Sequence, residues 1–231
     1  MHSETIRAKL KLALAKKEPA LFNSPPISLP ETVSTGLTEI DRLTGGIPRG
    51  RITEISGPAS SGRTSLLISL LSQITRKEEF CCLIDPGNAF DPTSADTAGV
   101  TLERLLWVRT KPDIDPVLKS TDLLLQGGGF GLIGVDFTDI PAHDIQRIPL
   151  STWFRLQRTA KNTPTILLFL TQELSIKKCA ELVIRLGLDG TEWSPNLLCG
   201  IHPDAEIIRS RTDPVAGWSG RSKRCWIESS Y

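Results

Sequence analysis

The segment GPASSGRT, from Gly57 to Thr64, constrains the fold more than any other feature of this 231-residue sequence. It lies between RITEIS, an apolar run that predicts a strand, and an apolar pattern that predicts a helix from Thr64 to Thr75. In such a strand–loop–helix unit, backbone N–H groups and the helix N-terminus bind phosphate oxygens, and the Thr64 hydroxyl would ligate Mg²⁺. An ordinary Gly-Ser turn is the alternative, which the flanking strand and helix disfavour.

This loop departs from the phosphate-loop pattern G-x-x-x-x-G-K-[ST] at one position, where Arg63 replaces the lysine. Lysine offers a compact point charge, whereas arginine is a longer planar fork, so the charge is kept and the geometry is not. We therefore expect weak binding of ATP and Mg²⁺ at most, and no fast hydrolysis, because phosphoryl transfer depends on the placement of charge. The candidate residues of the loop are Gly57, Ser60, Ser61, Gly62, Arg63, Thr64 and Ser65.

From Arg51 onward, strand-like segments alternate with helix-like ones, which predicts an α/β fold with a mostly parallel sheet flanked by helices. The further predicted strands are EFCCLID, LLWVRT, FGLIGVD and TILLFLTQ, and the further predicted helices are DPVLKSTDLLLQ and PLSTWFRLQRTA. ELVIRLGL and AEIIRSR follow without a strong helix between them. The sheet is therefore expected to end in antiparallel strands at its C-terminal edge.

Two aspartates each end a predicted strand. Asp136 follows FGLIGV and fits the second acid of a phosphate-loop site, although a helix cap or a turn is an alternative role for it. Asp85 follows FCCLI in the same way. Asp136 therefore joins the candidate nucleotide site.

Two appendages flank the core, which we place at residues 33–212. The N-terminal part, 1–32, combines a basic amphipathic helix from Glu4 to Lys17 with a Pro-rich linker. This helix either docks on a partner, packs on its own domain or is frayed in solution. The C-terminal part, 213–231, and the strand before it interleave basic and aromatic side chains, which suits DNA phosphates and bases. A tail whose tryptophans fold back on the core is the alternative. The residues concerned are Arg209, Arg211, Trp218, Arg221, Lys223, Arg224 and Trp226.

Composition argues against a strongly basic nucleic-acid-binding protein, a cysteine metal site, a secreted protein and a membrane protein. A net charge of +1 gives no global field that would attract nucleic acid, and the five scattered cysteines indicate reduced thiols without a metal site. Cys81 and Cys82 are neighbours on a predicted strand and should face opposite sides of the sheet. No signal peptide and no stretch of about 20 apolar residues is seen, so we expect a cytoplasmic protein without a membrane partner.

VSTGLTEIDRLTGGIPRGRITEISGPASSGRTS resembles the stretch that opens the bacterial RecA core. FCCLIDPGNAFDP resembles the RecA segment after the second core strand, and LLFLTQ resembles the strand that ends in its switch glutamine. The resemblance spans roughly residues 33 to 190 and implies a RecA-like core domain. It also implies that Gln172 matches the glutamine that senses the γ phosphate, which adds Gln172 to the candidate nucleotide site.

The departures from RecA fall on functional positions. Gly87 stands where the resemblance places the glutamate that activates water, and Ser94 stands where it places the aromatic ring that stacks on adenine. The segment ELSIKKCAELVIRL after Gln172 is too short for a mobile DNA-binding loop, and VDFTDIPAHDIQRIPLSTWF is compressed where RecA inserts another. These departures imply that RecA-style filaments on single strands are not formed.

A RecA-like chain of this size with an eroded phosphate loop resembles the ImuA group, which implies a role beside ImuB and a C-family polymerase in error-prone synthesis during the SOS response. We expect a non-catalytic adaptor or regulator of DNA repair whose partners are translesion polymerase components or RecA. The alternative is a weak, atypical DNA-dependent ATPase that uses Arg63 and an acid such as Asp85 or Glu173. Whether the chain forms a homo-oligomer is left open.

Overall fold

The computed structural model describes residues 30–176, 179–194, 197–210 and 223–226. The predicted basic helix, the linker before Pro30, and Arg211, Trp218 and Arg221 lie outside these residues. A two-stranded ribbon of β1 (Thr32–Val33) and β2 (Ile47–Pro48) precedes the main sheet. The main sheet contains β3 (Ile52–Ser56), β4 (Phe80–Asp85), β5 (Leu105–Arg109), β6 (Phe130–Asp136), β7 (Ile166–Thr171), β8 (Leu182–Ser194), β9 (Leu197–Ser210) and β10 (Lys223–Trp226).

The spatial order of the main sheet is β10-β9-β8-β3-β7-β6-β4-β5. All pairs from β8 to β5 are parallel, whereas β8 with β9 and β9 with β10 are antiparallel. The predicted mostly parallel sheet with an antiparallel edge is therefore confirmed. The sequence analysis assigned no strand after Thr212, yet Lys223–Trp226 pairs with β9 and extends that edge.

Six α-helices occur in the described part of the chain: α1 (Thr38–Thr44), α2 (Arg63–Thr75), α3 (Pro92–Thr97), α4 (Ile114–Gly127), α5 (Ala142–Arg147) and α6 (Leu150–Lys161); a 3-10 helix, Leu102–Arg104, precedes β5. The predictions of α2, α4 and α6 are confirmed, whereas α1, α3 and α5 were not predicted. These three helices have seven or fewer residues, so they carry too few apolar positions to show a clear helical period. None of the helices described is long and apolar enough to cross a membrane.

The sheet separates two hydrophobic cores, because successive strand side chains point to opposite faces. Cys81 and Leu83 pack on the face covered by α2, and Cys82 and Ile84 pack on the face covered by α4 and α6. Burial raises the pKa of both cysteine thiols to about 12, so they are inert free thiols. The prediction that these neighbours face opposite sides is confirmed.

Candidate phosphate-binding site

The candidate site lies where the carboxyl ends of β3, β4, β6 and β7 meet at one edge of the sheet. The phosphate loop follows β3, residues 86–89 follow β4, residues 137–140 follow β6, and Gln172 follows β7. Ligands of open α/β sheets bind outside the carboxyl ends of the strands. The topology therefore brings Arg63, Asp136 and Gln172, which are far apart in sequence, to one place.

The phosphate loop has left-handed backbone at Ser60 (φ 62°) and at Gly62 (φ 89°), and α2 begins directly after Gly62. A side chain at Gly57 would overlap the carbonyl oxygen of Leu186, so this position requires glycine. The Ser61 hydroxyl is buried and has no hydrogen-bond partner among the described residues. Thr64 and Ser65, in contrast, are exposed in the first turn of α2. The loop thus keeps a tight backbone turn and one polar side chain without a partner in the described part of the protein.

Arg63 is turned into the protein, and only 8% of the residue is exposed. Its Nη1 atom donates a hydrogen bond to the carbonyl oxygen of Thr171 at 2.7 Å. Burial lowers the pKa of the guanidinium, and the charges of Asp136 and Asp139 act in the opposite direction. The positive charge of the loop is therefore held by a main-chain carbonyl, and the negative charges of Asp136 and Asp139 act on it.

Asp136 accepts a hydrogen bond from the backbone N–H of Thr138 at 2.9 Å, which is the turn role considered as its alternative. Burial raises the pKa of its carboxyl group, the bonds from Thr138 oppose this, and the nearby charges of Asp85 and Asp139 raise the pKa further. Its charge also acts on Arg63. Asp136 therefore serves the turn after β6 and faces the phosphate loop.

Asp85 and Glu173, the two acids considered for water activation, differ in their surroundings. Asp85 is buried and accepts hydrogen bonds from Ala89 N, Phe90 N and Trp107 Nε1 at 3.0 to 3.2 Å. These three donors occupy its carboxylate and fix the turn after β4. Glu173 is exposed. Neither environment favours the activation of a water molecule.

Asp139, which the sequence analysis did not select, lies beside Gly87, where the resemblance to RecA places a glutamate. A Cβ atom on Gly87 would overlap the Asp139 carboxylate, which therefore fills the space that a side chain at residue 87 would enter. Gln172 is exposed, and its Nε2 atom donates to the carbonyl oxygen of Thr138 at 2.6 Å, which ties the Asp139 loop to the end of β7. Nothing in the sequence VDFTDIP distinguishes Asp139 from an ordinary loop aspartate.

Glu54 is a second residue that the sequence analysis missed. It is fully buried in the central strand β3, and its Oε1 atom accepts hydrogen bonds from Thr171 Oγ1, Ser175 N and Ile176 N at 2.7 to 3.2 Å. These bonds fix the connection between β7 and β8 directly after Gln172. Within β3, ITEIS, Glu54 is the one charged residue, and this was the available signal, because a buried carboxylate needs partners.

The residues predicted to bind nucleic acid that the structure describes lie on two strands, β9 and β10. Arg209 lies in β9, is half-buried, and donates from Nη1 to the carbonyl oxygen of Ala180 at 3.5 Å. Its charge also lowers the pKa of Glu54, so part of its role is within the domain. Lys223, Arg224 and Trp226 belong to the edge strand β10. Among the described residues, no group of three or more His, Cys, Asp or Glu side chains could hold a metal ion.

The burial of Glu54 predicts a pH dependence of stability. Desolvation raises its pKa above the ordinary 4.5, and the hydrogen bonds from Ser175, Ile176 and Thr171 only partly oppose this. The folded state then binds the proton more tightly, so the stability contributed by this group is present below pH 4.5 and is lost as pH rises through the folded pKa.

We therefore expect the unfolding free energy of the wild type, relative to Glu54→Gln, to fall as pH rises from about 4 to 7. Urea unfolding of both proteins across this range measures the difference. A difference that rises with pH would show that hydrogen bonds outweigh desolvation at Glu54.

Comparison with known proteins agrees with this architecture. A model of the RecA N-terminal domain matches residues 24–146. The RecA protein of Rickettsia canadensis is 38% identical over 46% of this chain, and the match covers 31% of that protein. The RecA protein of Brucella anthropi is 39% identical over 49% of this chain, and the match covers 32% of that protein. The chain thus matches about a third of the length of these curated relatives.

The crystal structure of the RadB recombinase has a TM-score of 0.61 to this chain at 19% identity. The similarity covers 83% of this chain and 94% of the RadB chain, which shows a shared fold. The RecA N-terminal domain family matches slightly more than half of the 231 residues. The chain therefore belongs to the RecA family.

Proposed function

We propose that this chain is a non-catalytic RecA-fold adaptor or regulator in bacterial DNA repair, the SOS response and error-prone translesion synthesis. It acts through protein partners, namely translesion polymerase components or RecA. The observation that carries the proposal is the hydrogen bond from Arg63 to Thr171 O, with Asp136 and Asp139 nearby. A guanidinium held in this way is already engaged by the protein before any phosphate arrives, which disfavours the transfer of a phosphoryl group.

The connection between β7 and β8 supports the same proposal. Glu54 binds Thr171, Ser175 and Ile176, and β8 begins at Leu182. A segment this short, bonded to a buried carboxylate, leaves little chain for a mobile loop that could grip DNA. The names of the relatives, Protein RecA and RadB recombinase, support a place for the chain in DNA recombination and repair.

A second candidate function is a weak, atypical DNA-dependent ATPase, and Asp139 favours it. Its carboxylate fills the space beside Gly87, where the resemblance to RecA places the glutamate that activates water. In this version Asp139 orients the attacking water, Arg63 stabilises the charge on the phosphates, and ATP and Mg²⁺ are cofactors. The two candidates differ in whether the site turns over ATP.

Phosphate release from Mg·ATP by the full chain, with and without single-stranded DNA, tests the proposal. We expect a rate equal to that of the Arg63→Ala variant under both conditions, because Arg63 is already engaged by the protein. An active RecA protein serves as the positive control. Phosphate release that DNA stimulates and that Arg63→Ala abolishes would establish the ATPase instead.

A further inference from the structure

Helix α6 exposes one line of side chains that the phosphate site does not use. Leu150 is 57% exposed and Phe154 is 51% exposed, and Arg158 and Lys161 continue the same line toward the end of the helix. Residues spaced by three or four positions lie on one face of a helix, so these four form a stripe about 16 Å long. We call this stripe the α6 ridge.

The charge along the α6 ridge is of one sign. Helix α6, LSTWFRLQRTAK, contains no Asp or Glu. Arg155, on the neighbouring face, pairs with Asp122 of α4 at 3.5 Å, so its charge is already matched. Within the described part of the chain, Arg158 and Lys161 have no ion-pair partner. The ridge therefore presents two apolar side chains followed by two cations.

The helix that carries the ridge is fixed by its opposite side. Trp153 is buried and packs edge-on against Phe169 with the ring centroids 5.3 Å apart. Gln157 donates from Nε2 to the carbonyl oxygen of Cys179 at 2.9 Å. A surface that is already rigid loses little conformational entropy when a partner binds it.

We propose that the α6 ridge is a docking surface for an acidic amphipathic helix of a protein partner. Leu150 and Phe154, one turn apart, match apolar side chains at the i and i+4 positions of such a helix. Arg158 and Lys161 match carboxylates that flank those apolar positions. A single strand of nucleic acid fits less well, because stacking of successive bases needs flat rings and only Phe154 provides one. This inference rests on the adaptor function, which requires a partner surface.

Fluorescence anisotropy with a labelled synthetic probe tests the α6 ridge on the full chain. The probe is a helical peptide with leucines at i, i+4 and i+7 flanked by glutamates, and it is compared with its lysine-substituted counterpart and with labelled oligothymidylate. We expect the acidic peptide alone to bind, and Phe154→Ala and the double change Arg158→Glu, Lys161→Glu each to weaken it at least about fivefold.

Leu123→Ala is the matched control, because Leu123 is 73% exposed on α4 and lies outside the ridge. We expect it to leave peptide binding unchanged, and thermal unfolding should confirm that all variants are folded. The inference is overturned if the acidic peptide does not bind, if all variants bind it equally, or if oligothymidylate binds the ridge more tightly than the peptide. Phosphate release, which tests the adaptor function, is measured separately from peptide binding, which tests the α6 ridge, so a failure of either proposal is distinguishable from a failure of the other.

Discussion

Replacing Glu54 by alanine is expected to lower the free energy of unfolding by about 3 kcal/mol. The change leaves the Thr171 hydroxyl and the N–H groups of Ser175 and Ile176 without their acceptor inside the protein. Each buried donor left unpaired costs about 1–3 kcal/mol, and removal of a desolvated carboxylate offsets part of the sum. Glu54→Gln keeps an acceptor oxygen in place and should cost less than about 1 kcal/mol.

Urea unfolding at neutral pH measures both variants. Glu173→Ala is the matched control, because Glu173 lies in the same connection but is exposed, and its loss should change stability by less than about 0.5 kcal/mol. Limited proteolysis adds a local readout, since cleavage after Gln172 should accelerate in Glu54→Ala before global unfolding. If Glu54→Ala unfolds at the wild-type urea concentration, the buried carboxylate does not hold this connection.

The sequence predicted the core of the fold because buried parallel strands leave long apolar runs. FGLIGVD and TILLFLTQ are apolar almost throughout, and both became strands with the expected bounds within a residue. The short helices α1 and α3 gave no such signal, since local hydrogen bonds define them. In α3, for example, the Asp91 carboxylate accepts from the backbone N–H groups of Thr93 and Ser94, which caps a helix of six residues.

The candidate site was predicted less completely, because several of its contacts join residues far apart in sequence. The phosphate loop and Asp136 were visible as local patterns, one as a glycine-rich loop and one as an acid that ends a strand. Asp139 and Gly87 come together only when β4 and β6 pair in the sheet. Likewise, the bond from Arg63 to Thr171 O joins residues 108 positions apart, so no window of sequence contains it.

Asp139→Asn is expected to tighten the binding of a fluorescent ATP analogue about tenfold at low ionic strength. Asp139 is exposed and lies beside Gly87, and its negative charge acts on Arg63. Removal of one negative charge beside a phosphate site at the protein surface changes the interaction energy by an amount on the order of 1 kcal/mol, which corresponds to up to about a tenfold change in affinity. Added salt should reduce the gain, because exposed charges are screened.

The matched control for this change is Asp144→Asn, which removes a partly exposed carboxylate. Asp144 lies in α5 and pairs with Arg147 at 3.5 Å, so its loss should leave nucleotide affinity unchanged. The same Asp139→Asn protein separates the two candidate functions, because they predict different results for phosphate release. If Asp139 orients the attacking water, the wild type releases phosphate and the variant does not. If the chain is an adaptor, removal of the Asp139 charge raises the affinity of the phosphate loop for nucleotide, and the variant still releases no phosphate.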